Sequence, residues 1–293
     1  MQISQILQFI VSGLTVGSVY GFTALGFTVI FNSTGIINFA QGEFVMMGGL
    51  FAVYFYKAFH FPLVLAGLAA IVLVMIIGSI FERLAIYPRR NASIITLIII
   101  TIGGSMFFQG SAMHLLGEDP MALPAFSGSK SLVFFGAAVQ PQAIWVIVIT
   151  LLTVVALRIF YNKTILGKAM RASSDNREAA RIVGINVSRL TLYSFAFSAG
   201  IGALGGIMIT PIIMAVFSMG GMIGLKGFAA AIVGGLGNPI GSVLGGLVLG
   251  VLESLSVGIF SSGYKDAISL LILLLVLFIR PSGLFSSVKS EKV

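Results

Sequence analysis

The chain has 293 residues, of which 58% are hydrophobic and only 9% are charged, with a mean hydropathy of +1.09. This composition excludes a water-soluble domain, which usually carries about 25% charge, and it excludes a disordered chain; the absence of Cys excludes a disulfide scaffold, and the 36 glycines have no collagen period. The net charge of +8 is compatible with nucleic-acid binding only if the basic residues cluster suitably along the chain.

Nine charge-poor segments, two of them weak, are candidates for transmembrane helices, which need about 20 mainly apolar residues. They predict an all-α polytopic membrane protein with eight or nine transmembrane helices, formed by one domain over residues 1–293. The segment 226–237 is short and ends in a glycine-rich run, so it is either a full crossing or a broken or re-entrant helix. The first segment lacks a cleavage site, and we expect it to be retained. The predicted spans are 7–31, 36–56, 62–81, 93–116, 141–160, 190–213, 226–237, 240–258 and 265–280.

Two sets of glycines recur every four residues, which places each set along one helical face. Lipid gives no hydrophobic drive between helices, so small residues that let backbones approach closely take its place. We expect these faces to be helix-packing surfaces, and the alternative is that some of them also slide during transport. The two sets are Gly13, Gly17 and Gly21, and Gly237, Gly241 and Gly245.

Polar and flexible residues interrupt the apolar sequence at 32–35 and again at 38–42. Backbone groups freed by such a break must line a cavity or be buried in protein, and broken helices are common at the substrate sites of transporters. Asn38, Gln41 and Glu43 are therefore candidates for the translocation pathway. Glu43 has two structural alternatives, because it could cap the second helix or bond to the freed amides.

Three basic stretches contain 13 of the 17 lysines and arginines, which is typical of loops on the cytoplasmic side. The loop 117–140 is poor in basic residues, and we expect it to be external. Alternation of nine spans then places the N-terminus outside, the C-terminus in the cytoplasm and Glu253 near the outer end of its span. This distribution argues against nucleic-acid binding. The basic residues are Arg83, Arg89 and Arg90; Arg158, Lys163, Lys168, Arg171, Arg177, Arg181 and Arg189; Arg280, Lys289 and Lys292; and four external lysines, Lys57, Lys130, Lys226 and Lys265.

The internal loop at about 161–189 is long and rich in charge, and it predicts a short helix over 176–183. Asp175 is the expected N-cap with Glu178 at the third helical position, and Gly184 supplies the stop signal. Such a short helix is unstable alone. It therefore needs a docking partner, or it lies on anionic lipid as an interfacial helix. Its arginines, Arg177 and Arg181, are four residues apart, and its less polar residues are Ala179, Ala180, Ile182 and Val183.

The run Glu178-Ala179-Ala180-x3-Gly184 resembles the EAA loop of ABC importer permeases, which fits a groove on the ATPase subunit. The Ile-x-Leu-Pro continuation usual after that glycine is absent, so the likeness is not to maltose-type or methionine-type permeases. Five further stretches resemble the Liv-type permeases for branched-chain amino acids, and the likeness covers about residues 13 to 285. It is closer to the short H-type subunit than to the larger M-type one. These stretches are 35–43, 164–172, 184–187, 226–247 and 280–285.

The resemblance implies an ABC importer permease fold in a bacterial inner membrane and transport of leucine, isoleucine and valine. It implies a homologous M-type permease, two ABC ATPases and an extracytoplasmic binding protein as partners. ATP and Mg²⁺ would be bound by the ATPases, so the chain would be neither an enzyme nor a cofactor or metal protein. The residues expected to couple it to the ATPase are Asp175, Arg177, Glu178, Ala179, Ala180, Arg181, Ile182 and Gly184.

Two alternatives remain open from the sequence. Within the importer class, the substrate could be urea, a short amide or another small amino acid or carboxylate, because the binding protein chooses most of the specificity. From a different class, the chain could be an ion-coupled secondary transporter or a channel. Such proteins commonly place several ionisable residues in the membrane, and the scarcity of such residues here counts against that alternative.

Overall fold

The computed structural model describes residues 3–128, 130–134, 136–259 and 262–285. In this part of the chain eleven α-helices form the fold, and the hairpin of β1 (Leu132–Phe134) and β2 (Ala137–Val139) lies between α4 and α5. The helices are α1 (Ile3–Thr34), α2 (Gln41–Ala58), α3 (Leu63–Phe81), α4 (Ile94–Leu116), α5 (Pro141–Lys163), α6 (Ile165–Asp175), α7 (Arg177–Ile182), α8 (Val187–Ile213), α9 (Met219–Gly234), α10 (Pro239–Ile259) and α11 (Lys265–Ile279).

Each of the nine apolar segments forms a helix, so the prediction of an all-α polytopic membrane protein is confirmed. Six helices among the described residues are long and apolar enough to cross a membrane: α1, α3 with the turns that follow it, α4, α5, α8 and α10. The segment expected at 226–237 is the second half of α9, which begins at Met219 and ends at Gly234. Its 16 residues span roughly 24 Å at 1.5 Å per residue, less than a hydrocarbon core of about 30 Å.

The helices divide into a buried centre and an apolar outer layer. In the most apolar stretch of α1, 83% of the residues are buried within the protein, whereas the share is 17% in both α4 and α5. The outward residues of α3, α4 and α5 are nevertheless aliphatic or aromatic, as expected for surfaces that face lipid or another membrane subunit. The centre therefore consists of α1, α2, α8, α9 and α10, and most of the buried polar side chains are found there.

The first set of glycines lies where α1 crosses α10. A Cβ on Gly13 would lie 2.6 Å from a backbone atom of α10, and a Cβ on Gly17 would lie 2.6 Å from the carbonyl oxygen of Gly246. In the reverse direction, a Cβ on Gly250 would overlap the backbone of Gly17. Gly21 is less tightly placed, with its nearest neighbour at 3.4 Å. Both helices therefore contribute glycines where their backbones touch.

Two of the three glycines in the second set lie on a helix-packing surface, as expected, and the third does not. Gly241 and Gly245 face α9, where a Cβ on either residue would overlap backbone atoms. Gly237 is not on this helical face, and that part of the prediction is wrong, because Gly237 lies in the turn before α10 with φ of +97°. The turn requires a left-handed residue, which glycine adopts without a steric penalty. The side-chain amide of Asn32 donates to the Gly237 carbonyl (2.8 Å) and ties this turn to the end of α1.

Candidate functional site

The basic stretches that follow α3 and α5 meet at one end of the bundle. A cavity of about 220 Å³ is lined by Glu82 and Arg90 from the first stretch and by Arg177 and Glu178 from the second. Ile36, just beyond the end of α1, lies on the same wall. The ends of α1, α3 and α5 therefore lie together, as expected for loops on one side of a membrane.

The described part of the C-terminal segment packs at this same end. The backbone N–H of Leu284 donates to the carbonyl of Val233 (2.8 Å), and the side-chain amide of Asn238 donates to the carbonyl of Phe285 (3.0 Å). This holds the segment against the turn that Asn32 of α1 also contacts. Lys289 and Lys292, two of the basic residues assigned to the tail, lie outside the described residues.

The loop expected at 161–189 contains two helices rather than one. The sequence analysis missed α6, whose N-cap is Thr164; the Thr164 hydroxyl accepts from the Gly167 N–H (3.0 Å). Met170 of α6 packs with Tyr161 of α5 and Leu190 of α8 in a small apolar cluster. The cluster attaches α6 to two long helices, so the segment before α7 is anchored to the bundle. Its apolar residues at helical spacing were the available signal for α6.

The N-cap of α7 is Asn176, and the assignment of that role to Asp175 is wrong. Asp175 is the last residue of α6, whereas the Asn176 side-chain oxygen accepts from the N–H groups of Glu178 (3.0 Å) and Ala179 (2.9 Å). Glu178 is consequently the second helical residue rather than the third, so it cannot complete a capping box. Asn and Asp cap equally well, and the sequence alone did not distinguish the two adjacent candidates.

The C-terminal end of α7 is a Schellman motif built on Gly184. Gly184 has φ of +87°, its N–H donates to the carbonyl of Arg181 (3.0 Å), and the N–H of Ile185 donates to that of Ala180 (2.9 Å). These two hydrogen bonds satisfy carbonyls that would otherwise be free at the helix end. The six-residue helix is therefore capped at both ends, and Gly184 supplies the left-handed residue that the motif requires.

One face of α7 is anchored and the other is exposed. Ala180 is buried, whereas Ile182 and Val183 are 86% and 74% exposed at an end of the protein that is otherwise rich in charge. Arg177 is turned partly inward, where burial and the nearby charge of Arg181 lower the pKa of its guanidinium. Exposed aliphatic side chains on a capped, anchored helix are typical of a docking surface.

The break between α1 and α2 lies inside the bundle. The backbone N–H groups of the break bond to side chains: Ile36 to Thr34 (3.0 Å), Phe39 to Thr101 (3.1 Å) and Ala40 to Asn38 (3.1 Å). All of these acceptors are buried or partly buried, so these three backbone donors are satisfied within the protein, as a break away from water requires.

Gln41 connects the break to α1 and α8. Its side-chain amide donates to the carbonyl of Ser198 (3.1 Å), and the Ser198 hydroxyl lies 2.5 Å from the Gln41 oxygen and 2.9 Å from the Gly26 carbonyl. Gly26 has no Cβ, which would overlap the amide of Gln41. Gly26 precedes the end of α1 by eight residues, or roughly 12 Å along the helix, so Gln41 lies well inside the bundle.

Glu43 lies two residues farther along α2 and is almost completely buried. Its Oε1 accepts from the hydroxyl of Ser105 on α4 (2.9 Å), and its Oε2 has no hydrogen-bond partner in the described structure. Both structural alternatives for Glu43 are wrong, because α2 has no side-chain cap and the freed amides bond to other groups. The carboxyl group instead packs on Gly220 in the first turn of α9, where a Cβ would overlap it. A helix N-terminus favours a nearby negative charge.

Replacing Glu43 by alanine is expected to reduce substrate uptake by the assembled transporter about tenfold or more. The change removes the group that joins α2, α4 and the first turn of α9, and it leaves a cavity in the buried centre. Uptake and the yield of assembled complex should be measured together. Ser105→Ala, which removes one hydrogen bond and almost no volume, is the control and should be much milder. Wild-type uptake by the Glu43→Ala variant would show that the side chain is dispensable.

A group of charged residues that the sequence analysis did not bring together lies between α9, α10 and α11. Lys226 was expected in an external loop, but it is the eighth residue of α9 and is buried. Its Nζ is 2.7 Å from Glu253 on α10 and 2.6 Å from Asp266 on α11. Glu253 is consequently a buried, paired acid. A single lysine inside an apolar segment was the signal available in the sequence, since ionisable residues in a membrane span are rarely incidental.

The fold, the helix α7 and the break between α1 and α2 together define a class of protein. The protein is a polytopic helical bundle with a glycine-packed centre, an interrupted helix and a capped helix presented at its basic end. This is the construction of a transporter subunit that works with a partner outside the membrane.

Comparison with known proteins gives the family. Residues 9–277 match the family described as branched-chain amino acid transport system / permease component, and the chain belongs to this family of ABC transporter permeases. It is 33% identical to the high-affinity branched-chain amino acid transport system permease protein LivH of Salmonella typhimurium and of Escherichia coli K12, over 98% of this chain and 97% of each relative. It is 31% identical to the corresponding BraD protein of Pseudomonas aeruginosa, over 100% of this chain and 99% of the relative.

Proposed function

We propose that this protein is a permease subunit of an ATP-driven importer of branched-chain amino acids. The observation that carries the proposal is the family match over residues 9–277, which includes both the interrupted helix and α7. Three relatives of almost the same length are high-affinity branched-chain amino acid transport permeases. The buried polar residues around the break supply groups that a permease can use for a polar substrate.

The basic end of the bundle faces the cytoplasm in this proposal. The positive-inside rule applies to short loops, and the arginines that follow α3 and α5 lie in such loops at one end of the bundle. This orientation puts the N-terminus outside and the C-terminus in the cytoplasm, in the inner membrane of a bacterial cell. The hairpin of β1 and β2 lies at the external end, where Gln8 of α1 accepts from the Ala138 N–H (2.8 Å).

The chain contributes one half of the pathway, and the other half is a homologous permease of the M type. Two ABC ATPases dock on the cytoplasmic end and bind ATP and Mg²⁺, so that the permease itself needs no cofactor and catalyses no reaction. An extracytoplasmic binding protein delivers the substrate. The docking element on this chain is α7, whose exposed Ile182 and Val183 would be covered in the complex.

Transport proceeds by alternating access. ATP binds preferentially to the closed state of the ATPase dimer, and its binding energy shifts the whole complex toward the permease state that fits that closed dimer. The movement of the ATPases reaches the bundle through α7, because α6 attaches α7 to α5 and α8. The caps at both ends of α7 keep this short helix from unwinding when the ATPases move it. The glycine surfaces between α1, α9 and α10 permit the central helices to change their packing without large side chains in the way.

The experiment is purification of the chain with its partners, followed by ATP hydrolysis and uptake assays in proteoliposomes. Leucine together with its binding protein is expected to stimulate hydrolysis and to accumulate inside. Urea and a short amide, tested with binding proteins for those solutes, are the comparison substrates. Purification of the chain without any ATPase, combined with uptake driven by an ion gradient, would contradict the proposal and favour a secondary transporter.

A further inference from the structure

A cavity of about 470 Å³ opens between α1, α8, α9, α10 and the start of α11. This volume is in the range of about 300–1,000 Å³ that is usual for sites of small molecules. Most of the cavity wall is aliphatic, and its charged lining residues are Lys226, Glu253, Lys265 and Asp266. The aliphatic wall includes Val16, Val19, Ile209, Ile213 and Ile223.

The charged group is arranged around the ammonium of Lys226, which bridges two carboxylates. The side chains of Lys226 and Glu253 are 6% and 9% exposed, whereas that of Asp266 is 44% exposed at the mouth of the cavity. Glu253 Oε2 also accepts hydrogen bonds from the hydroxyls of Ser269 (2.7 Å) and Tyr20 (3.1 Å). With Lys265, which also lines the cavity, the two cations and two carboxylates sum to zero, so the site offers charges of both signs beside an accessible space.

Stability is a weak reason for placing this group in the centre of a membrane protein. Desolvation of the charges offsets much of their mutual attraction, and apolar residues of similar volume often hold a core together as well or better. Helix packing between α9 and α10 is in any case supplied by Gly241 and Gly245. Ionisable residues that line a cavity within a membrane bundle instead commonly mark the path of a substrate or an ion.

We propose that this cavity binds the transported amino acid, with the substrate ammonium on Glu253 and Asp266, the carboxylate on Lys226 and the aliphatic side chain on the apolar wall. The inference rests on the proposed function, and it assigns a substrate site to residues that lie apart from the break at α2. A zwitterion brings one charge of each sign and leaves the net charge of the site unchanged. An amine or a carboxylic acid alone would leave one of the buried charges without a new partner.

The test uses leucine and the complete transporter in proteoliposomes, with one binding protein throughout. Asp266→Asn is expected to raise the leucine concentration for half-maximal uptake about tenfold, and Lys226→Gln combined with Glu253→Gln is expected to abolish uptake. The double variant removes a cation and an anion together, so that neither remains as an unpaired buried charge. ATP hydrolysis in the absence of binding protein should persist in both. Lys57→Gln and Asp119→Asn, which neutralise exposed residues outside the cavity, are the matched controls and should behave as wild type.

A direct binding measurement distinguishes a substrate site from a group of ion pairs that only holds the helices together. Leucine should bind to the complex without the binding protein, and it should be displaced neither by 4-methylpentanoate, which lacks the ammonium, nor by isopentylamine, which lacks the carboxylate. Wild-type leucine uptake and binding in the double variant would overturn the site while leaving the proposed function intact. If that variant does not assemble, an unchanged half-saturating concentration in Asp266→Asn would overturn the site. Failure of the wild-type complex to take up leucine would overturn the proposed function itself.

Discussion

Replacing Gly184 by proline is expected to lower substrate uptake at least tenfold, while the protein still inserts and its ATPase partners still hydrolyse ATP. Gly184 has φ of +87°, whereas proline is restricted to about −65° and has no N–H to donate to the Arg181 carbonyl. The substitution therefore removes the C-terminal cap of α7 and allows the helix to unwind. Because α7 is the proposed contact with the ATPase, hydrolysis would no longer move the permease.

Glu178→Arg is expected to uncouple hydrolysis from uptake in the same way, by a different cause. Glu178 is exposed in the first turn of α7, where a negative charge is favourable, and an arginine there would add to Arg177 and Arg181. Uptake and ATP hydrolysis should be measured on the same reconstituted samples. Gly184→Asn is the control for the backbone, since asparagine adopts the left-handed conformation more readily than other residues. Coupled transport at the wild-type rate in both Gly184→Pro and Glu178→Arg would contradict the assignment of α7.

Replacing Gly250 by leucine is expected to prevent assembly of the central bundle. A Cβ at this position already overlaps the backbone of Gly17, and a backbone cannot rotate away as a side chain can. Overpacking a core by side-chain contacts typically costs about 1–3 kcal/mol, and separation of α1 from α10 should cost more because the crossing extends over several glycines. The yield of monodisperse protein after extraction from the membrane, and its thermal stability, are the measurements.

Gly110→Leu provides the matched control for that variant. Gly110 is also a helical glycine, on α4, but no atom lies within 4 Å of a Cβ placed there. The two variants add the same side chain, so a difference between them reports helix contact rather than hydrophobicity or helix propensity. Equal yield and stability of Gly250→Leu and Gly110→Leu would show that the close approach of α1 and α10 is not required.

Local features of the sequence were sufficient to predict the nine apolar helices and the position of α7. Apolar runs identify helices because each crossing must be apolar along its own length, and Gly184 identifies a helix end because the left-handed conformation is a property of a single residue. The N-cap of α7 was assigned one residue too early, because Asp175 and the adjacent Asn176 are equally suitable N-cap residues. The amphipathic helix α6 was missed, because its charged residues made it resemble a loop.

Contacts between distant parts of the chain could not be predicted from local features of the sequence. Tyr20 and Glu253 are separated by 233 residues, and Gln41 and Ser198 by 157, yet both pairs are hydrogen-bonded in the centre of the bundle. A glycine pattern predicts that one face of a helix is close-packed, but it does not predict which other helix packs on that face. The assignment of Gly13 and Gly17 to α10, and of Gly241 to α9, therefore required the tertiary structure.

The sequence by itself determined that this is a polytopic membrane protein with its basic loops on one side, and its motifs indicated the permease family. Those properties depend on composition and on short segments, because each segment interacts with the membrane or with a partner through its own residues. Only the tertiary structure decided that Lys226 is buried in α9 between Glu253 and Asp266, and that Glu43 faces Ser105 and Gly220. The reason is that burial and pairing depend on which helices become neighbours, and that choice is made by packing over the whole chain.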